Sequence, residues 1–446
     1  MSLSRISLTA FGLSAIVCAH ASANVGEAYG LGSKHAALGA TGTAEPNTPF
    51  AAYTNPAALS RHGSHRFWAA YAIMAMSPSL TPISNVVVEN DFSSDTSPPK
   101  PGTVDTDYPM TMGQLVALNY VLLPDAWNIG FGVTTYLPFE QIATFDSGQV
   151  YAPEYPLYRA RNQRSQFDLG IGAEPMSGWK FGAGLHVGYK VSGATQVYAT
   201  TSAGKPSSMR FAATTKPKVS PYFGVLAILD ENLSAGATVR LPLSSDSTIS
   251  VRSAAQIVGN FDLAFEAGST LIYDPLSVEW GLVWRGHRGS THLQVDYQRW
   301  SKYQQPVMEV RNPQVSDCNP SPCGLPVSSS MNPQGFYRDI WIPRIGQEFA
   351  WDERVTLRVG YAFRPSILAA PPSGQGNYLD PSKHMFSAGA GYRLGSDEAP
   401  WSIDAHFSCH LLRSTRITKT GTEIGAPGYE AGGKILGGGV SLSISL

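Results

Sequence analysis

Charge is scarce in this 446-residue chain: 15% of its residues are Asp, Glu, Lys or Arg, and 32 bases nearly cancel 33 acids. A nucleic-acid partner calls for a basic patch or stripe, so none is expected. Long hydrophobic runs are missing too. Past the first two dozen residues, no stretch reaches the roughly 18 continuous apolar residues of a membrane helix. Neither a nucleotide-binding motif nor a G-x-S-x-G nucleophile turn occurs, so nothing points to a cofactor or to hydrolysis. Cysteine is rare, and Cys318 and Cys323 have no second Cys or His pair beside them, so no metal site is expected.

Glycine (44) and tyrosine (20) are plentiful, a profile that suits strands and turns better than helices. Residues 1–23 read as a signal peptide. Arg5 supplies the positive region, "ISLTAFGLSAIVCA" the apolar one, and Ala21-Ser22-Ala23 the cleavage site, so the mature chain is expected to start at Asn24. An exported chain without a membrane helix is secreted, periplasmic or a membrane β-barrel.

Alternation separates these classes. "FSAGAGYRL" puts Phe386, Ala388, Ala390, Tyr392 and Leu394 on one face and Ser387, Gly389, Gly391 and Arg393 on the other. "VTLRVGYAF", "LSVEWGLVW" and "KILGGGVSLSISL" repeat the pattern, with one face apolar and aromatic and the other polar or tiny. That is the two-residue period of a barrel with a lipid-facing exterior and a polar lumen. Fourteen such segments follow one another from about residue 65 to 446, and tight turns such as 351–353 alternate with long connections such as 81–112, 256–274 and 311–337. The expectation is an all-β fold, a 14-stranded antiparallel transmembrane β-barrel over 64–446, in the bacterial outer membrane. Residues 24–63 lack alternation and are small and apolar, unlike a solvated tail. They are expected to form an N-terminal hatch, a plug inside the lumen.

The stretch "YGLGSKHAALGATGTAEPNTPFAAYTNPAAL" resembles the start of the FadL/TodX family of outer-membrane transporters. "LSAGATVRLPL", "LQVDYQRWSKYQQ", "VTLRVGYAF" and "LDPSKHMFSAGAGYRL" continue the resemblance in matching order. The resemblance implies a monomeric barrel whose hatch carries an Asn-Pro-Ala motif, here Asn55, Pro56 and Ala57. It implies passive uptake of long-chain fatty acids or aromatic and aliphatic hydrocarbons, with exit through a kink in the third strand. Pro138 is the candidate there, since proline cannot donate to a ladder; its other reading is the strand's outer end. The expected partners are a hydrophobic small molecule and the lipid and lipopolysaccharide of the outer membrane. A lipase-like barrel enzyme and a structural or adhesin barrel are the competing classes.

Parity places Arg344, Arg358, Arg364 and Arg393 inward with Glu279, Asp296 and Glu348, and a tight turn at 351–353 sets Glu348 beside Thr356, within reach of Arg358. Arg344, Arg358 and Arg364 are candidates for a ligand head group, because guanidinium binds carboxylate in bidentate fashion; a lumen network tying wall to hatch is the other role open to them. Val25, Tyr29, Leu31 and Phe50 are candidate apolar contacts along the passage. Cys318 and Cys323, in "DCNPSPCG" of an exported chain, are expected to form a disulfide.

Overall fold

The computed structural model describes residues 30–61, 65–88, 101–123, 127–139, 152–155, 157–158, 164–200, 207–256, 260–303, 309–316, 337–373, 376–396 and 399–446. The signal peptide, Val25, Tyr29, Cys318 and Cys323 lie outside the described residues.

Fourteen wall strands follow in chain order: β1 Phe67–Leu80, β2 Thr111–Leu123, β3 Ile129–Pro138, β4 Gln166–Met176, β5 Trp179–Thr200 and β6 Ser208–Ile228. Next come β7 (Leu233–Arg240, resuming as Leu243–Gln256), β8 (Asn260–Asp274, then Ser277–Gly286) and β9 (Gly289–Gln298, then Glu309–Ser316). The last five are β10 Ile340–Ala350, β11 Val355–Arg364, β12 Lys383–Ser396, β13 Ala399–Thr418 and β14 Gly428–Ser445. β1 pairs with both β2 and β14, which closes the sheet.

Every spanning segment turns alternate residues outward, and the outward set is apolar. Leu118, Phe131, Ile171, Leu185, Leu293 and Leu357 are among its exposed members. Trp127, Trp179, Trp284, Trp351 and Trp401, beside the short turns, make an exposed aromatic ring at one edge of this band. Such surfaces are stable only against lipid, so the bilayer replaces a conventional core.

Two long connections contain more strand than alternation reveals. Residues 256–274 are not a loop: Asn260–Asp274 runs back along Leu243–Gln256 as a long antiparallel ladder. Glu309–Ser316 likewise extends β9. Beyond the breaks at 241–242 and 275–276, the outer half of β7 also lies parallel to β5. Outside the bilayer no lipid forces one face to be apolar, so the two-residue signal fades where the strands continue.

The turn after β10 also differs from the expected one. The Asp352 carboxylate accepts from the backbone N–H groups of Arg354 (2.7 Å) and Val355 (2.6 Å), which widens the turn. Ala350 therefore pairs with Thr356, and Glu348 stands opposite Arg358 itself.

Candidate functional site

The lumen is occupied by residues 30–61. Gly30 and Gly32 take left-handed φ values of 64° and 75°, which turn the chain into the short helix α1 (Ser33–Ala37). A second helix, α2 (Ala51–Thr54), leads into a 3-10 turn over Pro56–Leu59. Asn55 caps that turn, its Oδ1 accepting from Ala57 N–H at 3.1 Å, and Pro56 fills the first position, where no N–H is required.

This turn rests on a seat of glycines. Gly130 pairs with Gly172, Gly172 with Gly182, and Gly182 with Gly224, so four strands place four glycines side by side on the inner face. A Cβ on any of them would lie within 3.0 Å of Leu59, Pro56, Ala57 or Asn55. The wall thus admits the Asn-Pro-Ala backbone at a distance that no other residue permits. Asn55 is fully buried, and its Nδ2 donates to Thr43 O (2.8 Å) within the segment and to Val225 O (2.9 Å) in the wall.

Opposite the seat, the lumen is polar. Gln294 accepts from the N–H groups of Gly42 (2.9 Å) and Thr43 (3.2 Å), and Thr43 donates to Glu279 (3.0 Å). Arg344 pairs with Asp296 at 2.6 Å and donates to Gly39 O at 3.1 Å. Arg358 bridges Glu348 and Asp404, at 2.6 Å each, and Arg364, completely buried, meets both oxygens of Asp380 at 3.0 and 2.9 Å. Arg240 pairs with Glu279, donates to Tyr53 O and lies over the rings of Tyr53 (4.3 Å) and Tyr222 (4.9 Å).

His35 belongs to the inner segment itself. Its Nδ1 lies 2.8 Å from Thr41 O and its Nε2 2.7 Å from Thr48 Oγ1. A carbonyl only accepts, so the network assigns the proton to Nδ1 and lets the Thr48 hydroxyl donate to Nε2. Burial, reinforced by the charge of Lys34, lowers its pKa from 6.5 to about 4. Between those values the displaced segment binds a proton that the docked one refuses, so docking is full above about pH 6.5 and weakens as pH falls toward about 4. Leakage of a small polar solute through the protein in liposomes is expected to rise across this window. An equal rise in His35→Gln would show that another group is responsible.

A third region is apolar. Ile83, Val86 and Tyr108 of the long connection after β1 contact a continuous buried cluster that includes Ala72, Met74 and Met76 of β1, Leu115 and Ala117 of β2 and Ile435 of β14. The same cluster ends on Leu31 and Phe50 of the inner segment. Phe50 in turn borders a cavity on the short-turn side whose lining is largely polar, with Lys34, Arg61, Glu348, Arg358 and Asp404 beside Trp68 and Trp401. An apolar column therefore runs from Ile83 to Phe50 and ends at a polar cavity, beside a polar half that fixes the segment in place.

Residues 13–437 match the family described as outer membrane protein transport protein (OMPP1/FadL/TodX). The chain belongs to this family. No curated protein sequence matches it. Among solved structures it is similar to a Pseudomonas aeruginosa FadL homologue (15% identity, 93% of this chain and 97% of that one, TM-score 0.57). It is also similar to the P. putida toluene transporter TodX (15%, 94% and 99%, 0.56) and the Ralstonia pickettii toluene transporter TbuX (14%, 94% and 99%, 0.51). At these identities the likeness speaks for the fold.

As a FadL/TodX protein, the chain is an outer-membrane transport protein and not an enzyme. Of the residues expected to face a ligand, Leu31 and Phe50 lie in the apolar column, whereas Arg344, Arg358 and Arg364 are each held by an acid. Pro138 is the last residue of β3, opposite Gly113. The β3–β4 ladder stops earlier, at Tyr136–Gln166. Sequence reasoning missed Arg240 and the glycine seat. Arg240 was within reach, since it shares inward parity with Ser234 and Thr238.

Proposed function

We propose that this protein carries neutral hydrophobic molecules, hydrocarbons before long-chain fatty acids, passively across the outer membrane along the apolar column. The observation that carries this reading is the continuous apolar surface from Ile83 to Phe50 beside a polar half whose arginines Arg240, Arg344, Arg358 and Arg364 are already committed to carboxylates. A hydrocarbon needs no counter-ion, whereas a carboxylate entering here would have to compete with an acid at 2.6–3.2 Å. The names of the Pseudomonas putida and Ralstonia relatives, toluene transporters, agree with a neutral aromatic ligand.

In this reading residues 1–23 are removed on export, 24–63 form the hatch, and Asn55, Pro56 and Ala57 pin it to the glycine seat. Leu31 and Phe50, together with Val25 and Tyr29, meet the ligand. The gap beyond Tyr136, beside Pro138, is its sideways exit. The barrel acts as a monomer in lipid and lipopolysaccharide, with Cys318 bonded to Cys323 in an outer loop. The test is uptake of labelled toluene and labelled oleate by cells lacking the protein and by cells re-expressing it. Restored toluene uptake with little change in oleate is the expected result, and no change in either would refute transport of these ligands.

A further inference from the structure

On the long-loop side, the apolar band ends abruptly on β13 and β14. Leu411 and Leu436 are its last exposed outward residues there, and the next outward positions are Arg413 and Lys434, both exposed. Lys434 pairs across the ladder with Leu411, and Arg413 lies two residues beyond Leu411, where the β13–β14 register shifts between Leu412 and Thr415. Height agrees with this change of chemistry. Arg413 lies twelve residues beyond Trp401 of the aromatic ring along β13. At about 3.3 Å per residue and a tilt of about 40°, that is about 30 Å, just past the roughly 25 Å apolar band of such barrels. The two cations therefore stand where the acyl chains of the outer leaflet give way to its head groups.

A cavity opens at the same rim. It is lined by Arg413 and Arg338, by the hydroxyls of Ser366 and Ser382, and by the small apolar stretch Ala369–Pro372. Arg338 is exposed and donates through Nε to Ser366 O at 3.1 Å, which leaves both of its Nη groups uncommitted. Ser382 Oγ accepts from Ser366 N–H (2.9 Å) and Ser366 Oγ from Leu368 N–H (3.0 Å), so each hydroxyl keeps its own proton to donate. The acids nearby are already engaged. Asp380 is bound by Arg364, and Glu430 stands opposite Arg416 and accepts from Ser414. Among the described residues, Arg338, Arg413 and Lys434 have no acidic partner, in contrast to the arginines of the lumen.

From this geometry we infer that Arg338, Arg413 and Lys434 form a binding site for the phosphates of a phosphorylated glycolipid of the outer leaflet, a lipid A. Guanidinium groups grip phosphate oxygens bidentately, the ammonium adds a point charge, and the two serine hydroxyls complete a donor set suited to phosphate. The exposed apolar stretch Ala369–Pro371 beside the arginines suits the adjoining acyl chains. The inference rests on the barrel's place in the outer membrane and is independent of what the lumen carries.

The test is the amount of lipid A retained per barrel after purification and extensive detergent exchange, measured by mass spectrometry. Wild type is compared with Arg413→Glu/Lys434→Glu and with the milder Arg338→Gln/Arg413→Gln. Heat-modifiable gel mobility certifies that each variant is a folded barrel, and toluene uptake should remain within about twofold of wild type. Retention is expected to fall about tenfold in the charge reversal and several-fold in the neutral pair. In binding to stripped wild-type protein, diphosphorylated lipid A should exceed its dephosphorylated form about tenfold, and millimolar inorganic phosphate should not displace it. Equal retention in folded variants, equal binding of the dephosphorylated lipid, or full displacement by inorganic phosphate would each overturn the assignment.

Discussion

Gly182→Val should raise the leakage of small polar solutes through the barrel by about tenfold or more while leaving the wall able to assemble. The added Cβ meets the backbone of Pro56 and Ala57, which cannot rotate away as a flexible side chain could. Overpacking of this kind costs roughly 1–3 kcal/mol, and about 1.4 kcal/mol already shifts a docking equilibrium tenfold. Valine favours strands more than glycine does, so a local loss of strand propensity cannot explain such a result. Asn55→Ala approaches the same joint from the other side. It removes two donated bonds and one accepted bond at a fully buried position and leaves Thr43 O, Val225 O and Ala57 N–H without that partner. Each buried orphan costs about 1–3 kcal/mol. Swelling of protein-containing liposomes in a small sugar reads the leak, and heat-modifiable mobility reads the wall. Tight liposomes for both variants would reduce the Asn-Pro-Ala turn to a connection without a gating role.

Met74→Asp should lower toluene uptake at least about tenfold without opening a leak. Met74 is 1% exposed and lies within the apolar column. A carboxylate there must remain hydrated or be paired, and either state puts polar material across the path of a hydrocarbon. Met74→Leu preserves volume and apolarity and should stay within about twofold of wild type. Replacing Arg344 or Arg358 instead should chiefly loosen the inner segment, because these side chains bind it or brace the wall around it. If Met74→Asp transports normally in a folded barrel, the column is not the route.

The strands were legible in the sequence wherever lipid dictates the outward side chains. β10 to β14 follow the alternation nearly residue by residue over the span where their outward residues meet the bilayer. Asn260–Asp274 escaped notice because it lies beyond the break at 275–276, where that constraint ends. Parity also gave the direction of Arg344, Arg358 and Arg364 and put Glu348 within reach of Arg358, but it did not give the partners Asp296, Asp404 and Asp380. One carboxylate, that of Asp352, widens a turn and moves Glu348 from Thr356 to Arg358. The glycine seat lay deeper still. Each inward glycine reads as merely small, and only the register of four strands together aligns Gly130, Gly172, Gly182 and Gly224 under Asn55–Leu59.

That alignment has a consequence for how the molecule is assembled. Glycine in a strand interior costs roughly 0.5–1 kcal/mol relative to alanine, and β3 to β5 carry a second inward row at Gly132, Gly170 and Gly184. Left empty, this quarter of the wall would be its weakest, with bare backbone facing water instead of packed side chains. Filled by Asn55–Leu59, it gains the contacts its own residues lack. The inner segment precedes these strands in the chain and is available while they pair. If the segment helps these strands to pair, a chain lacking residues 30–61 should assemble its wall more slowly.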